Sequence, residues 1–490
     1  MSVKVDRKEY CFKADSQRVI PRYFVPGDIE KVLGIVSLIM KMTEKEVCEN
    51  YGTIIERFAN LHRDVPKILI KHFMRLSQEF PLGIKPNEIS YERTLLIGAY
   101  FTLEYSFEGA AYFNPSIVPD PDQSNLKKGE LRVILSFRAV GEGHVSSVAF
   151  VSGIIDKDNN LITKPKKISC VESPETIKRN IYNKKEFFVK LNEMKIPDYI
   201  AKIVYSKLND TFIYGELINC VYECLDDVNL SPEDKDIIKK IQWVARSHYE
   251  VTFSRETSIS ERVLFPISYS ETKGIEDVRF VKFTEDSGET IYYGTYTAYN
   301  GNSILPKMIE TTDFYHFKTT PIHGENVQNK GMALFPRKIN GQYAMLTRID
   351  GINNYIMFSD NVRVWKDVQK IQSPRYPWEF VQVGNCGSPH ETKEGWLLLT
   401  HGVGPMRTYC IGAILLDLED PTKILGRLKR PLLMPNEEER KGYVPNVVYT
   451  CGSIIHNNEL IMPYSQSDSS SKVANINVQD LVDEILREGE

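Results

Sequence analysis

Apolar residues between positions 27 and 88 recur at intervals of three and four, as in IEKVLGIVSLIMKM and YGTIIERFANLHRDVPKILIKHF. This spacing puts them on one helical face, and it predicts an N-terminal helical segment within residues 1–92. A second helical segment is predicted at about 174–248, where Ser231 and Asp234 are spaced like a capping box. Residues 476–490 predict a C-terminal helix. We expect the two larger segments to pack together, since each has an apolar face to bury.

The rest of the chain, residues 93–475, consists largely of short runs typical of β-strands and contains a loose repeat. In each copy, a turn with Gly or Asn leads into an apolar strand with a polar end. The copies are KKGELRVILSFRAVGEG, SGETIYYGTYTAYNG, INGQYAMLTRIDG, KEGWLLLTHGVG and HNNELIMPYSQSD. The last four begin about 50–63 residues apart, which is the length of one propeller blade.

The repeat therefore predicts a mainly β protein, a five-bladed β-propeller with an N-terminal helical segment and a helical insertion. A β-sandwich with polar loops is the alternative. In a propeller, the inner strands would bring together the polar residues that end the five repeats: Arg138, Tyr299, Arg348, His401 and Asp468.

Composition narrows the classes of function. The net charge of −4 gives no basic surplus for nucleic acid. No run of 18 apolar residues predicts a membrane helix, and the N-terminus lacks the apolar core of a secretory signal. We expect a cytoplasmic protein whose eight cysteines are reduced. The helical segments are candidates for a homo-oligomer interface.

The segment YSETKGIEDVRFVKF carries adjacent carboxylates, Glu276 and Asp277, followed by Arg279. Neighbouring residues of a strand point to opposite faces, so one carboxylate can face the channel while the other pairs with Arg279 or with backbone. A sheltered carboxylic acid can serve as a general acid. Without further context, a surface acidic pair is the simpler interpretation.

A set of cations follows in the next two repeats: Lys330, Arg348, His401 and Arg407. If they converge, such side chains suit an oxyanion such as phosphate, because arginine binds two oxygens at once. Taken singly, they are more typical of solvated or structural residues. The chain lacks the GxxxxGK[ST] and GxGxxG nucleotide motifs and the GxSxG hydrolase motif.

Together these segments resemble glycoside hydrolase family 130. The resemblance extends from FNPSIV (113–118) through GIEDVR, ALFPRKINGQYAMLTR, GWLLLTHGVG and GYVPNVVYTCG to YSQSD (464–468). The family consists of five-bladed propellers, most of which phosphorolyse β-mannosides with inversion. The helical segments resemble those of the longer members, among which β-1,2-oligomannan phosphorylases occur.

The resemblance implies roles for nine residues. Asp277 matches the family's catalytic acid, and Lys330, Arg348 and His401 match its phosphate-binding cations. The substrate-binding positions are Asn114, Ser116, Arg138, Gln382 and Asp468. Some positions depart from the family pattern: EDPR is EDVR here, YGAAD is YSQSD, Gln382 replaces a common lysine, and Lys330 replaces a common arginine.

The implied reaction converts a β-mannooligosaccharide and inorganic phosphate into α-mannose 1-phosphate and a shortened oligosaccharide, without metal or organic cofactor. An inverting β-mannosidase is the main alternative. It needs a carboxylate to activate water, for which Glu142, Glu271 and Glu391 are the candidates. A non-catalytic glycan-binding propeller is a third possibility.

Overall fold

The computed structural model describes residues 3–84, 88–166, 170–172, 174–177, 181–193, 196–226 and 230–489. The predicted segments also include residues 1–2, 85–87, 167–169, 173, 178–180, 194–195, 227–229 and 490, which lie outside the described residues. Within the described ranges the fold is mainly β, as the sequence predicts, with two helical additions.

Nine α-helices lie in the described part of the chain. Their bounds are α1 (Ile29–Met40), α2 (Glu44–Phe58), α3 (Val65–Glu79), α4 (Tyr91–Tyr100), α5 (Lys184–Glu193), α6 (Asp198–Tyr205), α7 (Tyr214–Leu225), α8 (Pro232–Arg246) and α9 (Val478–Glu488).

The described part of the chain also contains 29 strands. They are β1 (Val5–Arg7), β2 (Val19–Tyr23), β3 (Thr102–Ser106), β4 (Ala111–Pro119), β5 (Leu131–Val140), β6 (Ser146–Ile155), β7 (Leu161–Thr163), β8 (Glu175–Ile177), β9 (Ile181–Asn183), β10 (Thr211–Ile213), β11 (Tyr249–Thr252), β12 (Val263–Leu264), β13 (Gly274–Thr284), β14 (Thr290–Tyr299), β15 (Ile304–Thr311), β16 (His316–Pro321), β17 (Ala333–Leu334), β18 (Tyr343–Thr347), β19 (Asn354–Ser359), β20 (Asp367–Gln372), β21 (Gln382–Asn385), β22 (His390–Glu391), β23 (Trp396–Val403), β24 (Tyr409–Leu416), β25 (Ile424–Arg427), β26 (Val448–Tyr449), β27 (Ile454–His456), β28 (Glu459–Gln466) and β29 (Ser470–Asn477).

Most of the strands form five antiparallel groups in chain order. The first group is β4–β7 with β12, and the second is β13–β16 with β11 and β8. A parallel pairing of Gly274 with Ser146 joins these two groups. The third group is β17–β20 and the fourth is β21–β25. The fifth group combines β26–β29 with β1 from the start of the chain.

Hydrophobic clusters lie between consecutive groups. Phe150 of the first group packs with Phe280 of the second, and Phe283 of the second shares a cluster with Met345 of the third. Further clusters join the third group to the fourth, and the fourth to the fifth. The fifth group then packs on the first, where Val473 lies in the same cluster as Phe137. The five groups therefore pack in a cyclic order.

The two helical segments have separate cores. Helices α1–α4 pack around Phe73 and Leu96, whereas α5–α8 enclose a cluster that includes Ile200 and Leu217. Among the described residues no hydrophobic cluster joins the two segments, so the prediction that they pack together is not confirmed, and each segment buries its apolar faces by folding back on itself. The capping box of Ser231 and Asp234 at the start of α8 is confirmed.

The segment boundaries differ from the prediction in two places. The helices of the N-terminal segment continue to Tyr100 in α4, beyond the predicted start of the β region at residue 93. Strands β8 and β9 precede α5 within the predicted insertion. The C-terminal helix α9 is confirmed, and it packs on the fourth and fifth groups through Leu481 and Ile485.

Candidate active site

A cavity of about 240 Å³ lies where the five groups of strands meet. Each group contributes at least two lining residues. The first group provides Asn114 and Arg138, the second Asp277 and Arg279, the third Lys330 and Arg348, the fourth Gln382 and His401, and the fifth Tyr449 and Asp468. The structure therefore brings together eight of the nine predicted site residues, Ser116 being the exception.

The repeated strands are not the first strands of their groups. Counted from β4, β13, β17, β21 and β26, the repeats are the second strands of the five groups, namely β5, β14, β18, β23 and β28. Both the first and the second strands of the groups supply the site, and four of the five polar residues that end the repeats line the cavity: Arg138, Arg348, His401 and Asp468. Tyr299, at the end of β14, does not line the cavity, and its hydroxyl donates to the carbonyl of Gly301.

Two irregular strands position the central carboxylate. The register of β4 shifts between Phe113 and Ser116, and that of β13 shifts between Glu276 and Arg279. Asn114 and Asp277 both have left-handed backbone there, with φ of 48° and 56°. Such bulges re-aim side chains next to functional sites. As a result, the Asn114 amide donates to Asp277 Oδ1 over 2.7 Å.

Arg138 controls the charge of Asp277. Its Nη1 lies 3.3 Å from Asp277 Oδ1, and its Nε donates to Ser146. Burial alone would raise the pKa of Asp277. The charge of Arg138, the hydrogen bond from Asn114 and the charges of Arg279 and Lys330 outweigh burial and lower that pKa below its usual value. Asp277 is therefore ionised at neutral pH.

Glu276 lies behind the cavity and connects two of its cations. Arg138 Nη2 donates to Glu276 Oε1 over 2.7 Å, and Lys330 Nζ donates to Oε2 over 2.6 Å. The Glu276 side chain is 8% exposed. Because the bulge turns both acidic residues toward Arg138, Glu276 does not pair with Arg279 as the alternation along a strand suggests.

Ser116 lies behind β13 rather than at the cavity. It is fully buried, and its hydroxyl accepts a hydrogen bond from the backbone amide of Phe280 over 3.2 Å. The expectation that Ser116 binds substrate therefore needs correction: the residue helps to fix β4 against β13, next to the bulge that carries Asn114.

Arg348 is held by the fourth group. Its Nη1 donates to His401 Nε2 over 3.0 Å. With the Gln382 amide oriented so that its oxygen faces Arg348, that oxygen accepts from the same nitrogen over 2.9 Å. Gly384 leaves the necessary room, since a β-carbon there would lie 2.3 Å from Arg348 Cδ.

His401 is not a cation in this site. Burial, with the nearby charges of Arg348 and Arg279, lowers the pKa of His401 well below its usual value. Its Nδ1 donates to the carbonyl of Asn385, so Nε2 is the acceptor for Arg348. The expectation of a positively charged His401 is therefore corrected, because the histidine orients the guanidinium of Arg348 instead of adding a charge.

Arg279 and Tyr449 are site residues that the sequence reasoning did not assign. Arg279 is 4% exposed, and its Nη2 donates to the Tyr449 hydroxyl over 2.5 Å. The guanidinium groups of Arg279 and Arg348 both approach Gly331, and each Nε is buried without a hydrogen-bond partner. Unpaired buried donors on two converging cations favour an anion. The arginine of GIEDVR was the available signal.

Asp468 is the second carboxylate at the cavity. Burial and the charge of Asp277 raise the pKa of Asp468 to about 6, although Arg138 and Arg407 oppose the shift. The lining residues thus include two aspartates and five cations, which are Arg138, Arg279, Lys330, Arg348 and Arg407. This excess of positive charge suits an anionic ligand beside Asp277.

The three glutamates considered as bases for water do not line the cavity. Glu142 is exposed, and Glu391 pairs with Arg337 at 2.7 Å. Glu271 is fully buried, where it pairs with Lys307 at 2.6 Å and accepts hydrogen bonds from the hydroxyls of Tyr249 and Tyr296. None of the three is placed to activate water at Asp277.

A comparison with known protein families shows to which family this chain belongs. A family model for glycoside hydrolase family 130, described as beta-1,4-mannooligosaccharide phosphorylase, matches residues 241–488, about half of the chain. The chain belongs to glycoside hydrolase family 130. Asn114 and Arg138 precede the matched stretch, and it is the fold that brings them to the family's motif residues.

Two curated proteins are similar to this chain. A 1,2-beta-oligomannan phosphorylase of Thermoanaerobacter sp. strain X514 is 34% identical over 248 residues, covering 49% of this chain and 81% of that protein. A beta-1,2-mannobiose phosphorylase of Listeria innocua is 30% identical over 283 residues, covering 53% and 77%. A solved structure of a Listeria innocua beta-1,2-mannobiose phosphorylase with beta-1,2-mannobiose covers 77% of this chain and 93% of its own, with 22% identity and a TM-score of 0.47.

Proposed function

We propose that this protein is an inverting phosphorylase that cleaves β-mannosides with inorganic phosphate and releases α-mannose 1-phosphate. The observation that carries the proposal is the pair of arginines, Arg279 and Arg348, which line the same cavity as Asp277 and whose Nε atoms are each buried without a hydrogen-bond partner. The relatives named as phosphorylases of β-1,2-linked mannosides favour that linkage.

The architecture that we propose is a five-bladed β-propeller in which each antiparallel group is one blade. The cyclic order of the hydrophobic clusters and the contribution of every group to one central cavity support it. Strand β1 pairs with β29 and would close the ring. The helical segments stay outside the blades, and a homo-oligomer formed through them remains a prediction.

Phosphate would bind between Arg279, Arg348 and Lys330. One nitrogen of Arg348 is occupied by His401 and Gln382, which leaves Nη2 and Nε to donate to phosphate oxygens. Lys330 keeps two of its three N–H groups after pairing with Glu276. Since phosphate is itself the nucleophile, the reaction needs no carboxylate base and no metal or organic cofactor.

Asp277 would act as the general acid, although the charges of Arg138, Arg279 and Lys330 help to lower its pKa. The negative charge of bound phosphate would offset Arg348, Arg279 and Lys330, and it would therefore raise that pKa. Asn114, Arg138, Gln382 and Asp468 would hold the mannose. The family resemblance implies that the proton reaches the leaving oxygen through the mannose 3-hydroxyl. The doubly charged product fits a reaction in the cytoplasm, where we place the protein.

A β-mannosidase is the second candidate function. Apart from Asp277, the described lining residues include one carboxylate, Asp468, which would have to serve as the base. Asp468 and Asp277 both lie close to Arg138, so they share one cation. The cluster of cations has no role in hydrolysis, and this favours the phosphorylase.

The test is mannose 1-phosphate formation from β-1,2-mannotriose as a function of phosphate concentration. We expect a saturable dependence on phosphate in the wild type. Arg348→Ala should raise the KM for phosphate about tenfold to a hundredfold, because a charge-assisted hydrogen bond contributes roughly 1.5–3 kcal/mol. Arg337→Ala is the matched control, since Arg337 pairs with Glu391 outside the cavity. Cleavage at an equal rate without phosphate, releasing free mannose, would show a hydrolase instead.

A further inference from the structure

Three loops next to the cavity carry large side chains. His144 follows β5, which carries Arg138, and Met406 and Arg407 follow β23, which carries His401. Tyr443 precedes Val444, which itself lines the cavity, as Arg407 does. The rings of His144 and Tyr443 stack with centroids 5.7 Å apart and planes 26° apart. The loops of the first and fifth groups thus meet beside the cavity.

This rim exposes apolar surface to an unusual degree. Met406 is 87% exposed and Tyr443 is 71% exposed, the two highest values for large hydrophobic side chains in the part of the chain that the structure describes. His144 covers one face of the Tyr443 ring. Exposed apolar groups that lie together beside polar residues are a mark of ligand-binding grooves.

The backbone conformation of the rim also supports a binding site. His144, Met406 and Arg407 all have left-handed backbone, with φ of 57°, 55° and 56°. Such conformations cost residues other than glycine on the order of 1–3 kcal/mol each, and they concentrate at ligand-binding sites. Met406 and Arg407 are consecutive, so the loop after β23 carries this cost twice.

The cavity is also small for an oligosaccharide. Its volume of about 240 Å³ is below the usual range of roughly 300–1,000 Å³ for small-molecule pockets. The phosphate and the mannose at the cleaved bond would occupy it. The sugar units on the other side of that bond must therefore lie at the mouth, against the rim.

We propose that Tyr443, Met406 and Arg407 form a binding site for the sugar units on the leaving side of the cleaved bond. The free face of Tyr443 would stack on a sugar ring, as an aromatic face suits the apolar C–H face of a pyranose. Met406 would extend that apolar surface, and Arg407 would donate to hydroxyl groups. This assignment rests on the proposed function, because the proposed reaction defines which sugar units of the oligosaccharide are on the leaving side. The site would then determine which acceptors the enzyme prefers.

The primary test is calorimetric binding of β-1,2-mannotriose in phosphate-free buffer, where a phosphorylase does not turn over. Tyr443→Ala should weaken binding at least fivefold. Tyr269→Ala is the matched control, because Tyr269 is 62% exposed but, unlike Tyr443, has no chain neighbour that lines the cavity, and it should bind like the wild type. Equal affinity of Tyr443→Ala and wild type would overturn the inference.

Kinetics in the direction of synthesis give a second test. With α-mannose 1-phosphate as donor, Tyr443→Ala should raise the KM for the acceptor at least fivefold and change the KM for the donor less than twofold. A parallel rise in both values would contradict a site on the leaving side. If the wild type binds mannotriose but neither forms nor uses mannose 1-phosphate, the proposed function fails while the binding result still decides the inference.

Discussion

Asp277 is surrounded by groups that stabilise its ionised form, yet the proposed reaction needs its proton. Asp277→Asn keeps the shape and the contact with Asn114 but cannot deliver a proton. We expect kcat to fall about 10²–10⁴-fold, the usual contribution of a general acid. The KM for phosphate should change little, and mannotriose should still bind. Turnover near that of the wild type, measured as mannose 1-phosphate release, would exclude Asp277 as the acid.

Glu276 is expected to matter more than a residue that faces away from the site. Glu276→Gln leaves an amide that cannot accept from both Arg138 and Lys330. Lys330 then loses its anchor, so we expect the KM for phosphate to rise about tenfold. Glu310→Gln is the control, because it breaks the comparable pair with Arg363 away from the cavity. An equal effect of both variants on phosphate KM would mean that Glu276 acts through general stability.

We expect the ionisation of Asp468 to determine how substrate affinity changes at acidic pH. Burial and the charge of Asp277 raise the pKa of Asp468 to about 6. Its ionised form accepts hydrogen bonds from sugar hydroxyls, so mannotriose affinity should be highest above pH 6 and fall as the pH drops below it. Calorimetry between pH 5 and 7.5 measures this. Asp468→Asn should bind more weakly at pH 7.5 and lose the pH dependence, and an unchanged acid limb would assign it to another group.

At the residue scale, the sequence predicted which residues converge but not the charge state or the orientation of each. Strand ends and family motifs were enough to bring Arg138, Asp277 and Arg348 to one place. The neutral state of His401 depends on its burial and on Arg348, and the orientation of Glu276 depends on a bulge. Neither is encoded in local spacing, because each arises from contacts between residues distant in the chain.

Among the elements, the N-terminal strand was not predicted, since β1 has three residues and no apolar periodicity. It covers the edge of β29, and Phe12 continues the contact through reciprocal backbone hydrogen bonds with Ser471. The helices, in contrast, were recognisable from their spacing over long stretches. Their separate cores were not, because periodicity gives the apolar face of a helix and not its partner.

Phe12→Ala tests whether this N-terminal stretch holds the fifth group to the first. Phe12 is 2% exposed and packs against Phe137 at 4.9 Å between ring centroids. Removing a buried aromatic ring costs roughly 3–5 kcal/mol, so the free energy of unfolding should fall by about that amount. Tyr10→Ala is the neighbouring control, since Tyr10 is 53% exposed. Similar losses in both variants, measured by chemical denaturation, would argue against a specific role of the Phe12 contact.

For the whole molecule, buried neutral histidines predict sensitivity to acid. Burial lowers the pKa of His72 to about 4 and that of His323 to about 3, from an ordinary 6.5. The unfolded chain therefore binds more protons below pH 6.5, and the free energy of unfolding falls as the pH decreases from 6.5 toward 4. Thermal unfolding midpoints between pH 7.5 and 4.5 should show this decline. His323→Gln, which does not titrate, should reduce the slope, and a midpoint independent of pH would contradict the prediction.

In the described part of the chain, no helix has the length and apolar character needed to span a bilayer. The repeat in the sequence predicted the number of strand groups. The sequence did not predict that β1 belongs to the fifth group, because β1 and its partner β29 are far apart in the chain.

That pairing of β1 with β29 has a consequence for the time course of biosynthesis. Arg7 pairs with Ala474, so the first strand leaves the ribosome long before its partner exists. At roughly 5–20 residues per second, the wait is about 23 to 93 seconds. During this interval the nascent chain presents an unpaired strand and the exposed ring of Phe12, both of which chaperones and other nascent chains can bind.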